Sequence, residues 1–177
     1  MSDQTALVAV FDTRQLAEEA VKELKRKGTD LAKVSVVASD RFADKEPPPD
    51  DSMGSRVVYW AERGAFWGSL GGLLVGVGFF WAPGVGPLLI AGPLVGIVIA
   101  AMEGAAVVGT LSALGAILVG VGIADDEIDA YEAAIRTGKY LLIYHGSAED
   151  IEKTRQVLDQ AKATETKVFP KALAGTN

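Results

Sequence analysis

The sequence predicts an α+β protein: a ferredoxin-like split βαβ sandwich interrupted by a glycine-rich transmembrane helical hairpin. Three observations predict it. Residues 64 to 123 carry a single charged side chain, Glu103, although the 177-residue chain holds 17 basic and 23 acidic ones. Fifteen of the 20 glycines fall in that same block. The charged flanks each read as strand, helix, strand, and two such units supply the four strands and two helices of a split βαβ sandwich.

Ala6 to Phe11 form a short continuous apolar run, the pattern of a buried strand. Asp12 is placed to cap the next helix, with Gln15 three residues on as in a capping box, and Leu16, Ala20 and Leu24 share one face. Lys25, Arg26 and Lys27 suit the negative end of the helix dipole, and Gly28 ends it. Valine-rich Lys33 to Ser39 completes the first unit. The second repeats the plan: strand Tyr140 to His145, N-cap Ser147, a helix turning Ile151, Val157, Leu158 and Ala161 inward, and a strand around Thr166 to Phe169.

The chain divides accordingly into a first βαβ half over 1–40, a flexible linker over 41–56, the hairpin over 57–123, a connecting helix over 124–138, the second half over 139–170 and a tail over 171–177. The linker region, Asp40 to Arg56, is rich in Pro, Asp and Ser and has no periodicity. In the connecting helix Ile128, Tyr131 and Ile135 fall on one face, and Asp125, Asp126 and Glu127 favour the dipole of its first turn.

Within the block, Tyr59, Trp60 and Trp67 at one end and Phe79, Phe80 and Trp81 at the other match interfacial belts. Residues 64 to 81 would cover about 27 Å as a helix, close to a bilayer's hydrocarbon core. Pro83, Gly84, Gly86 and Pro87 provide a turn, and Gly92 and Pro93 a second break. The segments 84–102 and 104–123 read either as two spans or as parts of one return helix. A sandwich assembled from both flanks needs an even number of crossings, which favours two, with a return helix of roughly 44 Å from Pro93 to Val121.

Small residues recur at four-residue spacing: Gly64, Gly68, Gly72 and Gly76, then Gly92, Gly96, Ala100 and Gly104, followed by Ser112, Ala116 and Gly120. Such glycine-zipper stripes let helices approach closely in lipid. They serve either the two helices of one hairpin or the assembly of a homo-oligomer. Glu103, the one ionisable group of the block, is a candidate proton or cation site. Protonation, a hydrogen bond to Thr110 or Ser69, or protrusion of the helix into water would equally relieve its cost.

Other chemistry is not written in the chain. The absence of cysteine excludes disulfides and thiolate chemistry, and a net charge of -6 argues against nucleic acid as a partner. His145 is the single histidine, at a strand end. Gly76-Val77-Gly78 lies inside the apolar run and fails the context of a nucleotide fingerprint. No catalytic, metal or cofactor site is expected, and the N-terminus lacks the pattern of an export signal.

Across residues 6 to 169 the chain resembles the bacterial general stress proteins, a family that includes heat-induced stress proteins and glycine-zipper membrane proteins. The resemblance rests on Val8-Ala9-Val10-Phe11-Asp12, Val34-Ser35-Val36-Val37, Pro83-Gly84-Val85-Gly86-Pro87, Ala91-Gly92-Pro93-Leu94, and Gly122-Ile123 followed by an acidic helix with Tyr131-Glu132 and Gly138. Ala124 stands where family members often have proline. The resemblance implies a stress-linked protein of the bacterial inner membrane with no established activity.

The expected function is therefore non-enzymatic. A self-associating membrane protein, with lipid and its own copies as partners, displays a cytoplasmic ferredoxin-like domain for binding or sensing. The alternatives are a small ion or proton channel using Glu103, and a water-soluble assembly with the apolar hairpins at its centre.

Overall fold

The computed structural model of the chain describes residues 5–39, 65, 68, 70, 72–74, 76–82, 86–104 and 113–170. The element order is β1 (Thr5–Phe11), α1 (Arg14–Arg26), β2 (Val34–Ser39), β3 (Val77–Ala82), β4 (Gly86–Ala91), α2 (Leu94–Gly104), α3 (Ala113–Val121), α4 (Ile128–Arg136), β5 (Tyr140–Gly146), α5 (Ala148–Gln160) and β6 (Glu165–Pro170). Short 3-10 turns at Leu31–Lys33 and Asp125–Glu127 lead into β2 and α4. The described residues at 65, 68, 70, 72 and 73 are also helical.

The six strands form one antiparallel sheet in the order β3-β4-β2-β5-β1-β6. β5 lies between β1 and β2, pairing Ile143 with Val8 and Leu142 with Val36. β1 and β2 are therefore parallel to each other, joined by α1 around an intervening strand. β5 and β6 are joined likewise through α5 around β1.

Alternation along β1 divides the core. Leu7, Ala9 and Phe11 face α1 and α5, where they pack with Ala17, Ala20, Val21, Leu24, Ile151 and Leu158. Leu70 and Leu74 close the same layer. Ala6, Val8 and Val10 face the other way, under Leu94 and Val98 of α2, Leu114, Leu118 and Val121 of α3, and Ile128, Tyr131 and Ile135 of α4. The sheet is thus sandwiched between two helical layers.

The local causes are legible residue by residue. Thr13 caps α1 by accepting from the Leu16 amide at 3.3 Å. Asp12, expected in that role, pairs with Lys139 at 3.0 Å and so ties the end of β1 to the entry of β5. Ser147 caps α5 by accepting from the Asp150 amide. The cap of α2 comes from another element: the buried Ser35 hydroxyl of β2 accepts from the Leu94 amide at 3.1 Å.

The transmembrane hairpin is overturned, and with it the membrane, transmembrane-helix and glycine-zipper assignments. No described helix is long and apolar enough to cross a membrane. α2 has 11 residues and α3 has 9, about 16 and 14 Å against some 30 Å of hydrocarbon. The expected first span runs out into β3, and the expected return helix is preceded by β4. Gly76 and Gly92, expected on helical stripes, adopt φ of +108 and +101 at the ends of this hairpin.

The physical reason lies in how the apolar residues are used. Fully burying a Leu, Ile or Val side chain contributes about 1.5–3 kcal/mol. The sheet face carrying Ala6, Val8, Val37 and Ile143 supplies the apolar partner that α2 and α3 need. The insert completes the protein's own core. The expected linker over 41–56, Gly64, Thr110, Ser112 and the tail lie outside the described residues.

Candidate functional site

α2 and α3 are apolar on all sides, except for Glu103 in the last turn of α2. Helices of this composition belong in an interior, yet among the described side chains each is buried on one side only. Leu94 and Val98 of α2, and Leu114, Leu118 and Val121 of α3, point to the sheet. On the outer side Ile97 is 37% exposed, Ile99 48% and Val119 38%. These are exposed apolar side chains on both helices, with Ile97 on the side of α2 toward Gly120 of α3, and Val77 at the start of β3 is a further one at 42%.

The small residues expected to pack helices fall into different settings. A Cβ added at Gly68, Gly72, Gly76 or Gly96 would meet nothing within 4 Å, so among the described residues none of these serves a close contact. Gly120 does: a Cβ there would stand 3.5 Å from Cγ2 of Ile97, where α3 passes α2. Ala116 is half-buried in α3, while Ala100 and Gly104 lie on α2. Gly92 is a turn residue pressed onto β2, where a Cβ would lie 2.2 Å from the Val34 carbonyl oxygen. Gly64 and Ser112 are not among the described residues.

A second group of polar side chains joins α4 to the edge strand β6. Tyr131 is buried, packs edge-on against Phe169 with ring centres 6.0 Å apart, and donates to Glu165 at 3.4 Å. Burial, then the nearby Glu165 and Glu127 carboxylates, raise the Tyr131 phenol well above its ordinary value. Lys167 pairs with Glu127, lies 5.7 Å from the Phe169 ring centre and has its own value raised by that carboxylate. Hydrogen bonds from Lys139 and Thr164 lower Asp12.

Such a clasp has a pH signature. A tyrosine whose folded value is raised stabilises the fold fully below its unfolded value, and that contribution is lost as pH rises beyond it. Stability should therefore fall above pH 10.0, the ordinary tyrosine value. Tyr131→Phe should cost about 0.5–1.5 kcal/mol at neutral pH and flatten the alkaline fall. Urea unfolding at a series of pH values checks this, and an unchanged alkaline slope in the variant would assign the loss to another group.

Three surface depressions lie among the described residues. One of about 600 Å³ is lined by Lys22, Lys25, Arg26, Gly68, Gly72 and Leu73. Another, about 320 Å³, sets Lys27, Lys33 and Lys153 against Asp30 and Asp150, three positive side chains against two negative ones. A third, about 270 Å³, is lined by Ala130, Ala133 and Ala134 beside Tyr131 and Glu165. Among the described residues no group of three or more His, Cys, Asp and Glu could hold a metal ion. His145 is half-buried in β5 opposite Ala6.

Among the described residues, the surface most unlike its surroundings is thus the exposed apolar side of α2 and α3. Hydropathy alone pointed to these residues, but the sequence did not reveal which of them face outward. That division depends on the sheet beneath. Comparison of the chain with models of protein families, with curated proteins and with solved structures gives no match in any of the three.

Proposed function

We propose that this protein is a non-enzymatic, self-associating module in which the apolar outer sides of α2 and α3 meet those of other copies and the α1–α5 side of the sheet is left to bind or sense. The observation that carries the reading is the exposure of Ile97, Ile99 and Val119 on two helices with almost no polar side chains. Apolar side chains left exposed on two such helices are the mark of an interaction site. A second copy is the occupant we favour. A chain of net charge -6 approaches its own copy with least repulsion where both surfaces are uncharged. From its resemblance to the general stress proteins we assign it to the response to stress.

Sedimentation of the full chain tests this. The wild type should form a discrete oligomer, and Ile99→Lys should shift it toward monomer by at least tenfold in dissociation constant, because a charge would be buried without a partner. A wild type that stays monomeric at every concentration would remove the proposal.

A further inference from the structure

The two edges of the sheet differ in kind. β6 carries Glu165, Lys167 and Pro170, the charges and proline by which edge strands resist pairing. β3, the other edge, reads Val-Gly-Phe-Phe-Trp-Ala, with neither charge nor proline. Among the described residues no strand lies beyond β3, and an apolar edge of this kind offers a row of backbone groups to another strand.

Which groups it offers follows from the register. The Gly92 amide donates to the Gly76 carbonyl oxygen at 3.0 Å. Hydrogen-bonded pairs alternate along an antiparallel ladder, so Gly78 with Ile90 and Phe80 with Leu88 are also bonded pairs. Pro87, which has no N–H to give, stands opposite Trp81 in a non-bonded pair, as this parity requires. Val77, Phe79 and Trp81 therefore direct both N–H and C=O away from β4, along the open edge.

We propose that β3 pairs antiparallel with β3 of a second copy, about a two-fold axis at Phe79, so that two sheets become one. This rests on the self-association proposed above and gives it a geometry. The three outward-directed residues are symmetric about Phe79: Val77 meets Trp81 of the copy, Phe79 meets Phe79, and about six hydrogen bonds form. The absence of charge on β3 removes repulsion between two acidic chains. The edge is also continuous with the apolar helical surface. α2 stands over β3, where a Cβ at Gly78 would lie 3.2 Å from Cγ1 of Val95, and Val77 is exposed beside it.

The test uses the full chain, which has no cysteine of its own. Phe79→Cys places two thiols at the axis on Cα atoms about 5.5 Å apart, within disulfide reach. Mild oxidation should convert most of the protein to a covalent dimer, whereas Glu152→Cys on exposed α5 should stay uncoupled. Phe79→Pro removes an outward N–H while keeping the bonds to β4, as proline on an edge strand does. It should halve the mass of the assembly with the circular dichroism retained.

A wild-type chain that sediments as a monomer overturns this proposal and the association reading together. A wild-type oligomer whose Phe79→Cys form does not cross-link overturns edge pairing alone. So does a folded Phe79→Pro variant of undiminished mass. Should the proline variant fail to fold, the cross-link decides.

Discussion

Replacing Gly92 with alanine should lower stability by more than about 3 kcal/mol, the range of severe backbone lesions. Two causes act together. Gly92 holds φ +101, a conformation L side chains rarely adopt, and an added Cβ would lie 2.2 Å from the Val34 carbonyl oxygen and 2.9 Å from the Ser35 Cα. Both contacts are backbone, so no rotamer change can relieve them. The turn cannot retreat either, because the Leu94 amide beyond it is held by Ser35 and the Gly92 amide by Gly76. Urea unfolding monitored by tryptophan fluorescence checks the loss. A cost below about 1 kcal/mol would mean that β4 and α2 move together without penalty.

The second large effect is expected inside α3. Leu118→Ala should cost about 2–5 kcal/mol, because Leu118 is fully buried against the sheet. Val119→Ala, one residue on and 38% exposed, should cost less than about 1 kcal/mol. The ratio matters more than either value. A helix in lipid would show no such contrast on the scale of folding in water, whereas a helix covering a sheet must. Equal, small losses at both positions would separate α3 from the core.

The flanks and the insert were legible to different degrees, for physical reasons. Strands such as Ala6 to Phe11 and caps such as Ser147 depend on neighbours within a few residues, so local pattern locates them. Asp12 and Thr13 are both good caps, and the choice turns on Lys139, far along the chain, which takes Asp12. β3 and β4 are apolar on both faces, so they lack the period-two signal and resemble part of a long helix. The hairpin cue, two six-residue apolar runs about Pro83-Gly84-Val85, competed with a run length suited to a bilayer.

A further signal was present in the flanks themselves. A sheet backed by helices on one side only should alternate apolar and polar residues. In β1 every residue from Ala6 to Phe11 is buried, as is every residue of β2. Strands apolar on both faces require two covering layers, and the flanks supply only α1 and α5. The second layer had to come from the insert together with the connecting helix α4. What could not be read was the outward surface: the Ile97 and Ile99 side chains differ from Leu94 and Val98 only by the position of a sheet that other segments build.

The place of β5 in the sheet carries a consequence for how the chain reaches this state. β5 joins β2 to β1, and its register sets Thr5 against Gly146. On a ribosome, the first strand is made long before the strand that must lie beside it. Until β5 emerges, β1 has neither sheet neighbour, while β2, β3 and β4 can already pair. Long-range closures of this kind slow folding, and the unsheltered apolar segments are exposed to other nascent chains in the meantime. Synthesis thus leaves β1 waiting while every element from α1 to α4 is made, and the same residues that later seal the interior are then its main hazard.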